Sequence, residues 1–469
     1  MQEGALLELK GLNALRGSRE VLKDVNFKLN YGEIVVLVGD NGSGKSTFIE
    51  SCAGIVPFKN GELYFYEEAN SQNLIRDHEG RKSNIPKIGI TLQKDGICGE
   101  ETVEERILIA SEKSSKNYDS DKMGQILSDW GLNHRKSDRV SLLSGGLKRR
   151  LSVICGLAPA ILSPKPMTVL LDEPSVGLDK SARILFINWI RTLASRGHGI
   201  IIATHNNDVI KCADRIIKIG KKGKIKESIG KSDGAIVEIP TCSSSSDLIS
   251  IRHLTSWALK MEIRNPIDTV GRATPALVAL LLSYSIIEGN GPLSVDILSS
   301  LILLPAFITC IISPAIINRF NEAECGKWWH IMLGSKIRPI SSFLGASMIL
   351  PIPLTYLSWF ILIGNKSDEY SYDALLWLWL PILSLITVGM ASSALHFLVS
   401  DLRRSNSSVG SLLLIALIWP FLELSDALSI LMTSGMTYSL SIQSPIIGCI
   451  IASISSILIW IVVVYLPDY

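Results

Sequence analysis

Two rhythms of apolar and polar positions divide the chain. From residue 1 to about 232, short apolar runs alternate with amphipathic stretches; examples are Ile34–Val38, 88–92, 168–171 and Gly199–Ala203. A strand covered on both faces needs no polar alternation, so this pattern predicts an α/β domain with a buried, mostly parallel sheet. The segment GKSDGAIVEIPTCSSSSD then loses periodicity, and its serine run at 243–246 predicts a linker over 233–247. From there the rhythm changes. Apolar blocks fall at 270–287, 294–317, 341–364, 374–400, 408–430 and 444–466. Most reach the roughly 20 residues that cross a bilayer, which predicts an all-α polytopic region of about six spans over 273–469.

Charge orients these blocks. Of the basic residues beyond 272, Arg319, Lys327, Lys336 and Arg338 lie between the second and third blocks, and Arg403 and Arg404 follow the fourth. The loops after blocks one, three and five hold Lys366 among Glu288, Asp368, Glu369, Asp373, Glu423 and Asp426. Alternating loops are therefore basic and face the cytoplasm. This predicts a multi-pass protein of the cell membrane with its first domain and C-terminus inside. The first block is short and needs Arg272 to snorkel to the interface, and Pro305, Pro314, Pro351 and Pro353 predict kinks. Over 248–272, Ile251, Leu254, Trp257, Ala258 and Met261 recur at helical spacing beside Arg252, His253, Lys260 and Arg264. This is an amphipathic pattern that predicts an interfacial helix on the lipids of the inner leaflet.

Composition adds exclusions. The 469 residues are 47% hydrophobic and 19% charged, with net charge +2, too little for nucleic-acid binding by bulk electrostatics. Mean hydropathy is +0.31, consistent with a part in lipid. The eight cysteines show no metal-binding spacing and read as reduced packing thiols. MQEGALLELKGL has no basic stretch followed by an apolar core, so no signal peptide is expected.

The chemistry lies in the first domain. GDNGSGKST (39–47) follows the apolar run IVVLV directly and fits the phosphate-loop pattern. Gly39, Asn41, Gly42, Ser43, Gly44 and Thr47 build a loop whose N–H groups converge on phosphate oxygens at a helix N-terminus. Lys45 reaches the β- and γ-phosphates, and the Ser46 hydroxyl is a ligand for Mg2+. TVLLDEP (168–174) supplies an apolar strand ending in Asp172, placed to hold Mg2+ through water, and in Glu173, placed to polarise the attacking water. ATP and Mg2+ are the expected substrate and cofactor.

LSGGL (143–147), followed by KRR, resembles the signature of the ABC ATPases, and with it the whole N-terminal domain resembles that family. The fold implied is an α/β P-loop ABC ATPase domain over 1–232, fused to the all-α membrane domain. The resemblance implies that Ser144, Gly145 and Gly146 bind the γ-phosphate of ATP held by a second copy, so the protein works as a homodimer. It also implies that Gln93 joins Mg2+ to the membrane-domain contact, that Asp179 of GLD (177–179) forms the D-loop, and that His205 contacts the γ-phosphate. Leu147 stands where Gln is commoner. Arg16 or a neighbour stands where an aromatic residue usually stacks on adenine.

The membrane half has a likeness of its own. WALKMEIRNP, RFNEAECGKWWHIMLGSKIRPISSFLGAS and LVSDLRRSNSSVGSLLLIALIWPFL look like the membrane B subunit of the cytochrome c maturation (Ccm) haem exporter. The ATPase half, with Arg-Gly at 16–17, resembles its A subunit. That likeness implies haem export or delivery with cytochrome c maturation partners. Two alternatives stay open: an exporter of lipid, glycan or toxic small molecules, and a non-transporting ATPase that drives a membrane partner. The basic loop 318–339 is the expected coupling element, with Trp328, Trp329 and His330 as interfacial anchor and coupling contact. His396 lies inside a span, where an ionisable group suggests a substrate role or an interfacial position.

Overall fold

The computed structural model describes residues 4–16, 19–66, 72–81, 83–112, 120–220, 223–240, 251–290, 293–312, 315–334, 339–363, 376–401, 415, 417–434 and 445–465. The chain forms two compact units, one of residues 1–250 with 320–336 and 467–469, the other of 251–319 with 337–466.

The first unit holds two sheets. Strands β1 (Ala5–Arg16) and β2 (Arg19–Asn30) alternate buried and exposed positions and open an antiparallel sheet. It is completed by β4 (Phe58–Tyr66), β5 (Gln72–Asp77) and β6 (Gly80–Arg81), in the order β2-β1-β4-β5-β6. The second sheet contains β3 (Ile34–Val38), β7 (Ile88–Thr91), β8 (Thr168–Asp172), β9 (Gly199–Ala203), β10 (Arg215–Ile219) and β11 (Ile225–Ile229). Its order is β11-β10-β3-β9-β8-β7, parallel throughout except for β11. The continuous apolar runs are thus the buried parallel strands, as expected. The half-polar alternation of β1 and β2 belongs to the antiparallel sheet, which the sequence reading did not separate.

Helices α1 (Lys45–Cys52), α2 (Val103–Glu112), α3 (Ser120–Asp129), α4 (Gly145–Ile161), α5 (Lys180–Ser195) and α6 (Asn207–Lys211) complete this α/β fold. Thr102 and Glu105 cap α2 reciprocally: the Glu105 N–H donates to Thr102 Oγ1 and the Thr102 N–H to the Glu105 carboxylate, both at 3.2 Å. The first part of the predicted linker is tied down. The Val237 N–H donates to Thr192 Oγ1 at 2.9 Å, Arg196 donates to the Ile239 carbonyl at 2.8 Å, and Ile239 is buried. Residues 241–247 lie outside the described residues.

The second unit is helical. It comprises α7 (Ile251–Ile263), α8 (Pro266–Asn290), α9 (Val295–Ile311) and α10 (Ala315–Asn321, whose last two residues belong to the first unit). After α11 (Cys325–Leu333), which also belongs to the first unit, come α12 (Leu344–Ser347), α13 (Pro351–Ile363), α14 (Leu376–Asp401), α15 (Ile418–Ser434) and α16 (Pro445–Tyr465). Among the described residues, Pro266–Gly289, Val295–Leu333 and Ile340–Ile363 are long and apolar enough to cross a membrane, and Leu385–Val399 and Ile450–Tyr465 are shorter apolar helices. Leu298, Ile302, Phe307, Val388, Phe421 and Leu424 lie in the shared core, where Phe307 and Phe421 stack at 4.4 Å.

Several local expectations change. Pro351 opens α13 rather than kinking it, at the helical position where a missing N–H removes no bond. Leu254, Trp257, Ala258 and Met261 of α7 are buried, and α7 packs on residues 340–347, so protein fills the face assigned to lipid. Arg272 does not snorkel: it pairs with Glu262 of α7, a carboxylate buried too deeply to stand without a cation. Glu423 and Asp426, expected in an outer loop, lie inside α15. The six described cysteines are all buried. Lys336, Arg338, Lys366, Arg403 and Arg404 lie outside the described residues.

Candidate functional site

Four strands of the parallel sheet deliver the predicted residues to one edge. The C-terminal ends of β3, β7, β8 and β9 lead into the phosphate loop, Gln93, the Asp172–Glu173 pair and His205. Ligands of open α/β sheets bind outside these carboxyl ends.

Between β3 and α1, Gly39, Gly42 and Gly44 take φ of 156°, 76° and 110°, a region L-residues rarely enter. At Gly39 a Cβ would meet the Ile219 carbonyl oxygen at 2.7 Å, and at Gly44 it would meet Val21 at 2.7 Å. Glycine is therefore required by both backbone angle and space. Asn41 and Gly42 are exposed, Ser43 and Thr47 buried, and the loop closes with the Ser43 N–H donating to the Asp40 carbonyl at 3.1 Å. Lys45 folds back to donate to the carbonyls of Gly39 at 2.8 Å and Asp40 at 3.2 Å. Burial lowers its pKa, against the pull of Glu173, Asp172 and Asp40. The ammonium thus rests on the carbonyls of the loop itself. Arg16 is exposed at the end of β1, paired with Arg19.

Asp172 closes β8 and is nearly buried. Burial pushes its carboxyl up to about 6, with the hydrogen bond from Ser46 opposing and the charge of Glu173 assisting. Its Oδ1 is buried without a partner among the described residues. A hydroxyl and an orphaned carboxylate oxygen side by side are hard donors suited to Mg2+. No cluster of three His, Cys, Asp or Glu residues that could hold a metal is found among the described residues, so further ligands would be phosphate, water or a neutral side chain such as Gln93.

Glu173 stands in the left-handed region at φ 47°. Its N–H donates to the Ala203 carbonyl at 2.8 Å, and its Oε1 lies 3.5 Å from His205 Nε2. A non-glycine residue there carries about 1–3 kcal/mol of strain and persists only when its surroundings hold it. Ser175 Oγ lies 3.3 Å from Thr204 Oγ1, joining the segment after Glu173 to the one before His205.

Ser144 is the N-cap of α4, accepting from the Leu147 N–H at 3.4 Å, with Gly145 and Gly146 in the first turn. No atom lies within 4 Å of a Cβ built at Gly145, so this end of the helix is open to approach. Asp179 accepts from Arg150 and from Ser181, each at 2.7 Å; the Ser181 bond, then Arg150, lower its pKa. The Gln93 side chain is exposed just beyond β7, and its carbonyl accepts from Arg149 at 3.5 Å. Arg149 also donates to the carbonyls of Asp172 and Glu173, both at 2.8 Å. The sequence reading took KRR only as a basic helix start. The acceptors of Arg149 are mostly main-chain carbonyls, which leave no signal in a sequence.

The expected coupling loop contains a helix. α11 begins after left-handed Ala323 (φ 47°) and Glu324 (φ 65°) and ends at Gly334 (φ 63°), where a Cβ would strike the Ile85 carbonyl oxygen at 2.7 Å. Lys327 pairs with Glu50 of α1 at 3.0 Å, and the Gly96 N–H donates to the Ala323 carbonyl at 2.9 Å. Trp328 and Trp329 are buried, so the interfacial-anchor part of their expected role gives way to packing in protein. The guanidinium of Arg106 sits 3.5 Å from the centre of the Trp328 ring. His396, in α14, is buried and hydrogen-bonds the backbone at Cys310 and Ile311, the C-terminal end of α9. That is a helix-end contact and favours neither the substrate role nor the interfacial position.

Residues 22–176 match the family described as ABC transporter. A Methanocaldococcus jannaschii protein, provisionally named an ABC transporter ATP-binding protein, is 30% identical over 212 residues, spanning 44% of this chain and 74% of its own. Nod factor export ATP-binding protein I of Bradyrhizobium diazoefficiens is 30% identical over 241 residues, 50% of this chain and 74% of its own. A Staphylococcus haemolyticus protein, provisionally named a hemin import ATP-binding protein, is 29% identical over 228 residues, 47% of this chain and 99% of its own.

Proposed function

The chain belongs to the ABC transporter family of ATP-binding proteins, and from that premise we propose that it hydrolyses ATP as a homodimer to drive export across the cell membrane. One observation carries the coupling. α11 lies in the chain between α9 and α13, yet it packs in the first unit against Glu50 of the phosphate-loop helix and against the turn after Gln93. A change at the nucleotide therefore has a packed path to the segment joining two apolar helices.

In this reading the loop N–H groups and Lys45 hold the phosphates, and Ser46 and Asp172 hold Mg2+. When bound, the metal neutralises charge developing on the phosphate oxygens. Glu173 orients and polarises the attacking water, and His205, whose Nε2 lies 3.5 Å from the Glu173 carboxylate, steadies the γ-phosphate. The open N-terminus of α4, with Ser144, Gly145 and Gly146, completes the site of a second copy.

The cargo we propose is haem, delivered for c-type cytochrome maturation outside the membrane. Support comes from the likeness of segments 257–266, 319–347 and 398–422 to the membrane subunit of that exporter. A second reading, export of a lipid, glycan or toxic small molecule, is favoured by the relative named for Nod factor export. Two measurements test the proposal. Purified protein carrying Glu173→Gln should lose nearly all steady-state ATPase activity; undiminished turnover refutes the base assignment. A deletion strain should lose haem-stained c-type cytochromes; a full set removes the haem reading and leaves the second.

A further inference from the structure

Arg149 joins segments that the family motifs describe separately. It is the fifth residue of α4, one turn from the positive end of the helix, where a cation gains nothing from the dipole. It is only 6% exposed. Offsetting that burial takes several acceptors, and five are in place. Nη1 faces the carbonyl oxygens of Leu92 at 3.0 Å and Gln93 at 3.5 Å and the Asp95 carboxylate at 3.3 Å. Nη2 donates to the carbonyls of Asp172 and Glu173, each at 2.8 Å. One guanidinium thus spans the ends of two parallel strands, β7 and β8, at the residues that lead into the site.

The Glu173 bond has the sharpest consequence. With φ at 47°, this residue is held on both sides: its N–H by the Ala203 carbonyl, and its own carbonyl by Arg149 at 2.8 Å together with the Val176 N–H at 3.1 Å. Without the guanidinium, only the longer Val176 bond holds that carbonyl, so the peptide after Glu173 can relax toward ordinary backbone angles and the carboxylate turns with it. Resting on the function proposed above, Glu173 serves the nucleotide of its own chain, whereas Ser144, at the start of Arg149's helix, serves the nucleotide of the second copy. We propose that Arg149 is a positioning residue that holds Glu173 in its hydrolytic conformation and links the signature of one ATP site to the base of the other. It does this through the backbone, without touching nucleotide.

The test uses the purified full chain with Arg149→Gln and Arg149→Lys, and reads ATPase rate against ATP concentration, affinity for a fluorescent ATP analogue, and melting temperature. For Arg149→Gln, kcat is expected to fall about a hundredfold, as for a misplaced catalytic group. KM and analogue affinity should stay within about threefold, because the hydrogen bonds of Arg149 reach neither the phosphate loop nor Lys45 and meet Asp172 only at its carbonyl. The Hill coefficient should drop from its wild-type value, at most about 2 for two sites, toward 1. Arg149→Lys, which keeps a donor, should recover part of kcat, and it carries the test if the glutamine variant does not fold. An unchanged kcat, or a kcat loss matched by equal losses of affinity and melting temperature, would overturn the proposal. A fall in kcat with an unchanged Hill coefficient would overturn the link between sites. Wild-type turnover insensitive to Glu173→Gln would instead overturn the function reading, and this inference with it.

Discussion

Arg106→Met removes one buried charge and keeps most of the stem's volume, so its effect can be worked out from the contacts around it. Arg106 and Glu101 are both fully buried, 3.4 Å apart, and the guanidinium also donates to the Gly96 carbonyl at 2.6 Å. Burial, the largest single influence, would lower the arginine's pKa, but Glu101 together with Cys325 and Cys155 outweighs it and the net shift is upward. Losing the stacked contact with Trp328 removes about 2 kcal/mol at a desolvated site. Leaving Glu101 buried without its cation costs about 3–5 kcal/mol. These terms overlap, because the stranded carboxylate escapes part of its penalty by taking a proton. The expected net loss is about 4 kcal/mol, or about 10 °C in the melting of a unit of this size. The pH dependence follows from the sign of the shift. In the variant, Glu101 acquires a folded pKa above its unfolded value of about 4.3, so its penalty is present above that value. The deficit should shrink as pH falls from about 8 to about 5.5. Adding Glu101→Gln should recover about half of the loss at pH 8 and abolish the pH dependence. Thermal unfolding of the detergent-solubilised chain, followed by tryptophan fluorescence at both pH values, measures all four numbers. A melting change under about 2 °C in the single variant, or a deficit that grows on acidification, would refute the reasoning.

Two further outcomes are expected. Because burial pushes the Asp172 carboxyl up to about 6, and Mg2+ needs its ionised form, Mg2+-dependent ATPase should decline as pH falls through that value and recover with excess Mg2+; titrating Mg2+ at about pH 5.5 and 7.5 checks it, and equal midpoints would count against the metal assignment. Gly39→Ala should abolish binding of a fluorescent ATP analogue, since its Cβ would lie 2.7 Å from the Ile219 carbonyl oxygen at a φ of 156°; wild-type affinity would show that the loop can be rebuilt.

The nucleotide site was legible because its chemistry is local. A strand, a glycine loop and a helix start occupy consecutive residues, and each later motif ends one apolar run, so finding the run fixes the edge where Asp172, His205 and Gln93 emerge. What stayed hidden depends on distance in sequence. Glu50 and Lys327 are 277 residues apart, and nothing in either neighbourhood announces the other. Arg149 sits 23 and 24 residues from the carbonyls of Asp172 and Glu173, groups every residue possesses. The helix α11 was read as loop because its charges place it between spans. Its buried face of Cys325, Trp328, Trp329 and Met332 has helical spacing and could have been recognised.

The membrane half was legible in a different sense. Apolar runs specify an environment: the helices α8, α9 and α13 to α16 each overlap one of the six predicted blocks, while among the described residues three stretches are long and apolar enough to cross a membrane. The same runs are silent on what neighbours each face. α7 shows the ambiguity most clearly: Leu254, Trp257, Ala258 and Met261 form a stripe suited to lipid, yet residues 340–347 cover it. Its charges carried the better signal. Glu262 stands on the buried side of that helix, and a carboxylate there requires a cation, which Arg272 provides from α8. An apolar stripe bearing an acid thus argues for a protein partner over a lipid one. By the same argument, α8 exposes Val270, Val278, Leu281 and Leu282, and α16 exposes Ile450, Ile454, Leu458 and Val462, with no such charge among them, so these outer faces are suited to lipid.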